Sequence, residues 1–213
     1  MRNQTTEVRE MKLVGAERQL KNLAEIFPDL KVDKALNRIK TFGQRHKGLR
    51  PLVLPNSNVN GDYQERLEEV FLRLKQKDSG FAETFSVLPG SKRLNSTSIS
   101  ALRRAGRLQG DDFIIIPYRL ATLPPGKHCR DTGIETTGGF LHLPLLHTCW
   151  LVLAGNIEAK DDEDNRIICS CDRITAGELH RVAVLKKNGS WRVGHECPSS
   201  RFKRAHALVC RPL

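Results

Sequence analysis

The residues best suited to chemistry are concentrated between positions 117 and 150. This segment contains three histidines together with carboxylates, thiols and cations. His128, Asp131, Glu135 and His142 are of the types that act as general acids and bases or as ligands of a catalytic zinc or iron ion. They are therefore the candidate catalytic residues of an enzyme, either a hydrolase or a metal-dependent enzyme, with its active site in this Gly- and His-rich loop.

No spacing in this segment matches a metal-binding signature. His142 and His147 are five residues apart with Pro144 between them, so neither one helical face nor one strand face joins them. The alternative is that both are half-buried strand residues, with Cys149 and Trp150 in the core. We predict no metal site, and the sequence identifies no cofactor.

The six cysteines all lie in the last 85 residues. Cys169 and Cys171 would share one face of a strand and could form a zinc site with Cys197 and either His195 or Cys210. Structural zinc sites usually have two Cys-x2–4-Cys pairs, and this chain has one pair at a tighter spacing. We therefore interpret these cysteines as small buried residues in a sheet, with reduced thiols.

A second candidate site lies at residues 89–104, between a predicted strand and a predicted helix. The start of a helix carries free backbone N–H groups and a partial positive charge, which attract anions. Glycine, hydroxyl and cationic side chains surround that position. The candidate anion-binding residues are Gly90, Ser91, Lys92, Arg93, Ser96, Thr97, Arg103 and Arg104. The alternative is an ordinary N-cap at Ser96 or Thr97 after a solvated turn, and no P-loop pattern is present.

The chain has a formal net charge of +11, and residues 1–50 contribute 12 basic against 6 acidic side chains. Such a field attracts phosphate-bearing partners. Arg45, His46, Lys47 and Arg50 could join the same face. Aromatic residues make up only 6% of the chain, so platforms for base stacking are not obvious, and no common RNA-module signature appears. The favoured interpretation is a protein that binds a phosphorylated small molecule or RNA, mainly through backbone phosphates.

Long apolar runs that could span a membrane do not occur. The stretch from Leu145 to Ala154 is interrupted by polar residues and is half the length of a membrane span. The first ten residues contain acidic and basic side chains and no apolar core, unlike a secretory signal. We therefore expect a cytoplasmic protein with no membrane partner.

The N-terminal residues 1–42 are predicted to form a helical arm. Leu13, Ala16, Leu20, Leu23 and Phe27 recur at spacings of three and four. A second, shorter helix follows Pro28. This arm could pack on the rest of the protein or dock on a partner or a second copy, so an oligomer is one outcome.

Residues 43–213 are predicted to form one α+β domain. Alternating patterns from 49 to 118 indicate a strand–helix–strand–helix–strand order, an α/β-like N-terminal half. The C-terminal half is predicted to be antiparallel, with a hairpin turn at Lys187-Asn188-Gly189. The predicted strands there cover residues 148–154, 166–174, 179–186, 190–195 and 205–210.

Overall fold

The computed structural model describes residues 11–56, 63–83, 96–123, 140–159, 166–176, 179–196 and 205–211. The helices are α1 (Ala16–Ile26), α2 (Asp33–Arg45), α3 (Tyr63–Lys77), α4 (Ser96–Gln109) and α5 (Leu145–Leu153). The strands are β1 (Lys12–Leu13), β2 (Arg50–Pro55), β3 (Ala82–Glu83), β4 (Phe113–Leu123), β5 (Leu141–His142), β6 (Ile157–Glu158), β7 (Arg166–Ala176), β8 (Leu179–Asn188), β9 (Ser190–Glu196) and β10 (Ala205–Cys210). The predicted α+β class is confirmed.

The central element is an eight-stranded mixed sheet in the order β2-β4-β10-β7-β8-β9-β3, with β5 also paired to β10. Neighbouring strands are antiparallel except for β10 with β7 and β3 with β9, which are parallel. The predicted hairpin is confirmed: Gly189, with a φ of 65°, connects β8 to β9. A positive φ strains other residues, which explains glycine at this turn.

Helices cover both faces of the sheet. Even-numbered residues of β2 and β4, such as Leu52 and Ile116, join a large core with α3, α4 and α5. Odd-numbered residues, such as Val53 and Ile115, pack against α1 and α2 on the opposite face. The alternation follows from the two-residue period of a strand, and both sets are apolar because both faces are covered.

The two N-terminal helices pack on the sheet. Leu20 and Leu23 of α1 and Phe42 of α2 are buried in the same cluster as Phe113. The described part of the predicted arm, residues 11–42, packs on the body, and docking on a partner or a second copy stays a prediction. Residues 12–13, which the helical pattern included, form β1 and pair with β6.

The predicted strand at 148–154 is wrong, because residues 148–153 belong to helix α5 and Ala154 is its C-cap residue. All nine residues of α5 are buried, since the helix packs against α3 and β7. A helix that is buried on all sides is apolar at nearly every position. Its sequence therefore lacks the helical period that would distinguish it from a buried strand.

Strand β4 is longer than predicted. It was expected to end at Tyr118 but continues to Leu123 and pairs with β10 along that extension. The residue pattern did not indicate this continuation. Pro117 is unusual within a strand, and from Arg119 onward polar and apolar residues do not alternate regularly.

Among the described residues, no helix has the length and apolar character needed to span a membrane.

Candidate functional site

A basic cleft of about 530 Å³ lies where β2 begins beside the extended part of β4. Its described lining comes from four pieces of chain that are distant in sequence: β1 with the residue before it, the turn that leads into β2, strand β4 and strand β10. The lining residues are Met11, Lys12, Leu13, Gly48, Leu49, Arg50, Tyr118, Arg119, Leu120, Thr122 and His206. None of these is acidic, and the volume lies in the range of small-molecule sites.

Register explains which side chains meet in the cleft. Arg50 is directly paired with Tyr118, and His206 with Thr122, so each pair shares a face of the sheet. Arg119 follows Tyr118 and therefore points to the opposite face. Because the cleft lies at the edge of the sheet, side chains from both faces of the sheet can line it.

Tyr118 holds the guanidinium of Arg50 at the mouth of the cleft. The Tyr118 side chain is buried, and burial raises the pKa of its phenol, although the charge of Arg50 and a hydrogen bond with it act in the opposite direction. The phenol therefore stays neutral at physiological pH. Among the described residues, no carboxylate lies within ion-pair distance of Arg50.

Arg119 is positioned by an aromatic ring. Its guanidinium carbon lies 4.5 Å from the centroid of Phe140, which packs with Ala207 and Val209 on that face of the sheet. A cation over a ring face is attracted by the ring quadrupole and keeps its charge. No described carboxylate pairs with Arg119 either, so within the described residues it is a second positive charge without an acidic partner.

Lys12 is the third cation, and its charge is shared. The Lys12 Nζ atom lies 3.1 Å from a carboxylate oxygen of Glu158, and Arg18 approaches the other oxygen at 3.5 Å. All three side chains are substantially exposed, so this group is weakly coupled. Two cations around one carboxylate still leave the wall of the cleft net positive.

His206 and Thr122 contribute polar side chains to the lining of the cleft. The Nδ1 atom of His206 lies 3.4 Å from the Oγ1 atom of Thr122, and the His206 side chain is buried. An imidazole and a hydroxyl can each donate or accept hydrogen bonds. Within the described residues, the cleft therefore combines two arginines that lack a carboxylate partner with hydrogen-bonding side chains.

Three of the four candidate catalytic residues, His128, Asp131 and Glu135, lie outside the described residues. His142 is described: it is buried in β5, paired with Val209, and does not line the cleft. The active-site hypothesis for residues 117–150 stays a prediction. In the described part of the chain, no three His, Cys, Asp or Glu residues are grouped to hold a metal ion.

The candidate anion-binding residues Gly90, Ser91, Lys92 and Arg93 also lie outside the described residues. Ser96 and Thr97 are the first two residues of α4, and their side chains lie outside what the structure describes. Arg103 is half-buried and Arg104 is exposed on the same helix, and neither lines the basic cleft. This second site also stays a prediction.

The described cysteines have the buried character that the sequence indicated. Cys149, Cys169 and Cys210 are buried and form no disulfide with a described residue. Burial raises the pKa of the Cys210 thiol to about 12, so it carries no thiolate at neutral pH. Cys169 donates a hydrogen bond to Thr148 at 3.6 Å. These thiols pack in the core rather than serving as nucleophiles.

Sequence reasoning placed Arg50 in a candidate basic face and singled out the segment 117–150, which contains Tyr118, Arg119 and Thr122. It assigned no role to Lys12, Thr122 or His206. The sequence feature that could have identified two of them is the alternation of residues along a strand. Thr122 and His206 are polar residues on strand faces that are otherwise apolar. Pairing of β4 with β10, separated by about 80 residues, could not be read from one sequence.

Comparisons of this chain with protein families, with curated proteins and with solved structures find no match.

Proposed function

We propose that the protein binds a phosphate-bearing ligand in the basic cleft. The observation that carries this proposal is the convergence of Arg50 and Arg119, both without a described acidic partner, on one cavity of about 530 Å³. Guanidinium groups bind phosphate oxygens through paired, charge-assisted hydrogen bonds.

The hydrogen-bonding groups of the cleft support the same chemistry. The Thr122 hydroxyl and the His206 imidazole line the cleft, and Tyr118 keeps Arg50 at the mouth. Fixing a guanidinium in advance reduces the conformational entropy that binding would otherwise cost. The net charge of +11 adds a long-range attraction that speeds encounter with anions.

Calorimetric titration of the full chain with pyrophosphate and tripolyphosphate tests this function. We expect saturable binding in 50 mM NaCl that weakens in 500 mM NaCl, because salt screens the cations. Arg50→Gln and Arg119→Gln should each weaken binding about tenfold or more, the usual effect of losing a hydrogen bond to a charged group.

Lys40→Gln is the matched control. Lys40 is exposed on α2, does not line the cleft, and its loss changes the net charge by the same amount. Binding that Lys40→Gln weakens as much as Arg50→Gln does would reflect net charge alone and would remove the cleft as the site. Absence of binding in low salt would contradict the function.

A further inference from the structure

The strand at the cleft is longer than its neighbour on one side. Strand β2 pairs with β4 only from Phe113 to Tyr118, whereas β4 continues to Leu123. On its other side, β4 remains paired with β10 to Leu123. Among the described strands, none pairs with the extension of β4 on the β2 side, so residues 119–123 present an edge there.

Two hydrogen bonds show which backbone groups point to this edge. The N–H of Arg211 donates to the carbonyl of Pro117 at 2.9 Å, on the β10 side, and the N–H of Asn56 donates to the carbonyl of Asp112 at 2.7 Å, on the β2 side. Because these directions alternate along a strand, the N–H and C=O groups of Leu120 and Thr122 face the open side. No described residue hydrogen-bonds them there.

The chain turns away before β2 could cover this edge. Gly48 has a φ of 77°, and the N–H of Leu49 donates to the carbonyl of His46 at 3.1 Å. This turn directs the chain to the end of α2. The position beside Leu120 and Thr122, where β2 would continue, is the basic cleft itself.

The outer edge of β2, by contrast, is blocked at each outward position. Pro51 and Pro55 have no N–H group, and the N–H of Val53 between them donates to the Oε1 atom of Gln19 at 3.0 Å. Proline and covering side chains are the devices that stop a sheet edge from accepting another strand. The extension of β4 has no such protection among the described residues.

We propose that an extended, phosphorylated peptide segment of a partner protein binds in the cleft as an added strand on β4. This inference rests on the proposed function for the recognition of the phosphate. Backbone pairing with Leu120 and Thr122 supplies affinity that is independent of sequence, and the cations supply specificity for the phosphorylated side chain.

The positions of the two arginines fit such a strand. A guest residue opposite Leu120 would lie in line with β2, two residues beyond Arg50 and so about 7 Å from it along the strand. A phosphate on that residue is within reach of the Arg50 guanidinium. The next guest side chain would point to the other face, where Arg119 lies over Phe140.

The geometry favours a peptide over RNA. Leu120 and Thr122 present alternating N–H and C=O groups, which a second peptide backbone complements and a sugar–phosphate backbone does not. Tyr118, the aromatic residue that lines the described cleft, is buried and so offers no exposed ring for base stacking. RNA is therefore an outcome of the test rather than part of the proposal.

The first test uses a labelled seven-residue peptide of alternating valine and threonine with one central phosphoserine, titrated with the full chain by fluorescence anisotropy. Two further versions carry N-methyl groups on alternate backbone nitrogens, in odd or in even positions. Strand addition requires that one methylated version binds at least tenfold more weakly and that the other stays within about threefold. Equal binding of all three versions would overturn the inference.

The second test changes the protein. Thr122→Pro removes an N–H group from the open edge and leaves the ladder with β10, whose hydrogen bonds come from odd-numbered residues. We expect Thr122→Pro to weaken phosphopeptide binding at least tenfold more than it weakens pyrophosphate binding, because pyrophosphate can lose only the contact with the Thr122 hydroxyl. Thr122→Ser keeps both the hydroxyl and the N–H and should bind the phosphopeptide normally. The N-methylated peptides decide the matter if Thr122→Pro fails to fold.

The outcomes separate the inference from the proposed function. If pyrophosphate binds, but phosphopeptide binding is unchanged by N-methylation and by Thr122→Pro, the proposed function stands and the added strand is overturned. If neither pyrophosphate nor the phosphopeptide binds, both the added strand and the proposed function are overturned. A single-stranded RNA oligonucleotide that binds more tightly than the phosphopeptide and is displaced by pyrophosphate would identify the partner as RNA and overturn the peptide assignment.

Discussion

Arg50 and Arg119 reach the same cleft from opposite faces of one sheet edge, and each is oriented by a different aromatic partner. Tyr118 binds the first through its hydroxyl, and the ring of Phe140 supports the second. The two restraints are independent, so each arginine can be removed without displacing the other. Because both arginines would contact the same bound anion, the loss of binding free energy in the double variant should differ from the sum of the two single losses.

His147 is the residue whose environment gives the clearest dependence on pH. Its side chain lies fully in the core, with its ring 5.8 Å from that of Trp150, and neither ring nitrogen has a hydrogen-bond partner in the described part of the chain. Burial lowers the pKa of His147 to about 4. The folded protein therefore holds this imidazole neutral, whereas the unfolded chain takes up a proton below about pH 6.5.

The free energy of unfolding should consequently fall as the pH drops from 6.5 to 4. The contribution of His147 to this loss is about 3 kcal/mol, because each unit of pKa difference corresponds to about 1.4 kcal/mol. Urea unfolding of the protein and of His147→Leu at pH 7, 5.5 and 4 measures the contribution. The variant should lose about 3 kcal/mol less over this range; equal losses in both proteins would show that His147 does not titrate as described.

At the level of elements, α1 is attached to the sheet by side-chain amides as well as by apolar packing. Gln19 accepts a hydrogen bond from Val53 and donates one at 2.7 Å to the carbonyl of Val14. Asn156 donates to the carbonyl of Gln19 at 3.2 Å, and Asn22 donates to Asn156 at 2.9 Å. Gln19 and Asn156 are both buried, so these bonds satisfy groups that water cannot reach.

Gln19→Leu should lower the free energy of unfolding by about 2–3 kcal/mol, because it leaves the buried N–H of Val53 and the carbonyl of Val14 without partners. Lys21→Leu, an exposed change on the same helix, should cost less than about 0.5 kcal/mol. Chemical denaturation compares the two variants. A Gln19→Leu protein as stable as Lys21→Leu would mean that the amide network does not stabilise α1 on the sheet.

The elements differ in how far the sequence specified them. The stripe of α3, with Leu67, Val70, Phe71 and Leu74 buried on one side, has a clear helical period and was predicted correctly. Helix α5 has no such stripe, because neighbours surround it, and it was predicted as a strand. The local pattern is informative only where one side of an element meets water.

The candidate site was harder to predict than the fold, because it depends on pairing between distant segments. The sequence supplied the basic residues before position 50 and the polar start of the segment from 117, but it could not place them beside each other. Their meeting follows from the register of Arg50 with Tyr118. Register is set by the packing of both sheet faces and is not encoded in either strand alone.

At the scale of the whole molecule, the N-terminal helices form part of the core. Removing residues 1–31 would uncover Val53, Phe113 and Ile115 on one sheet face, and these residues are now buried against α1 and α2. We expect the truncated chain to lose its sharp thermal transition, measured by circular dichroism. A truncated protein that melts within a few degrees of the full chain would instead identify this segment as the separate arm that the sequence suggested.

The two prolines of β2 have a consequence for the behaviour of the protein at high concentration. A sheet that accepts strands at one place is exposed to self-assembly, because copies of the chain could stack edge on edge into fibres. On the outer edge of β2, Pro51 and Pro55 have no N–H group and the N–H of Val53 is bonded to Gln19. A second copy of the chain therefore cannot add a strand there, because that edge does not offer the backbone donors that continuous stacking on that side would need.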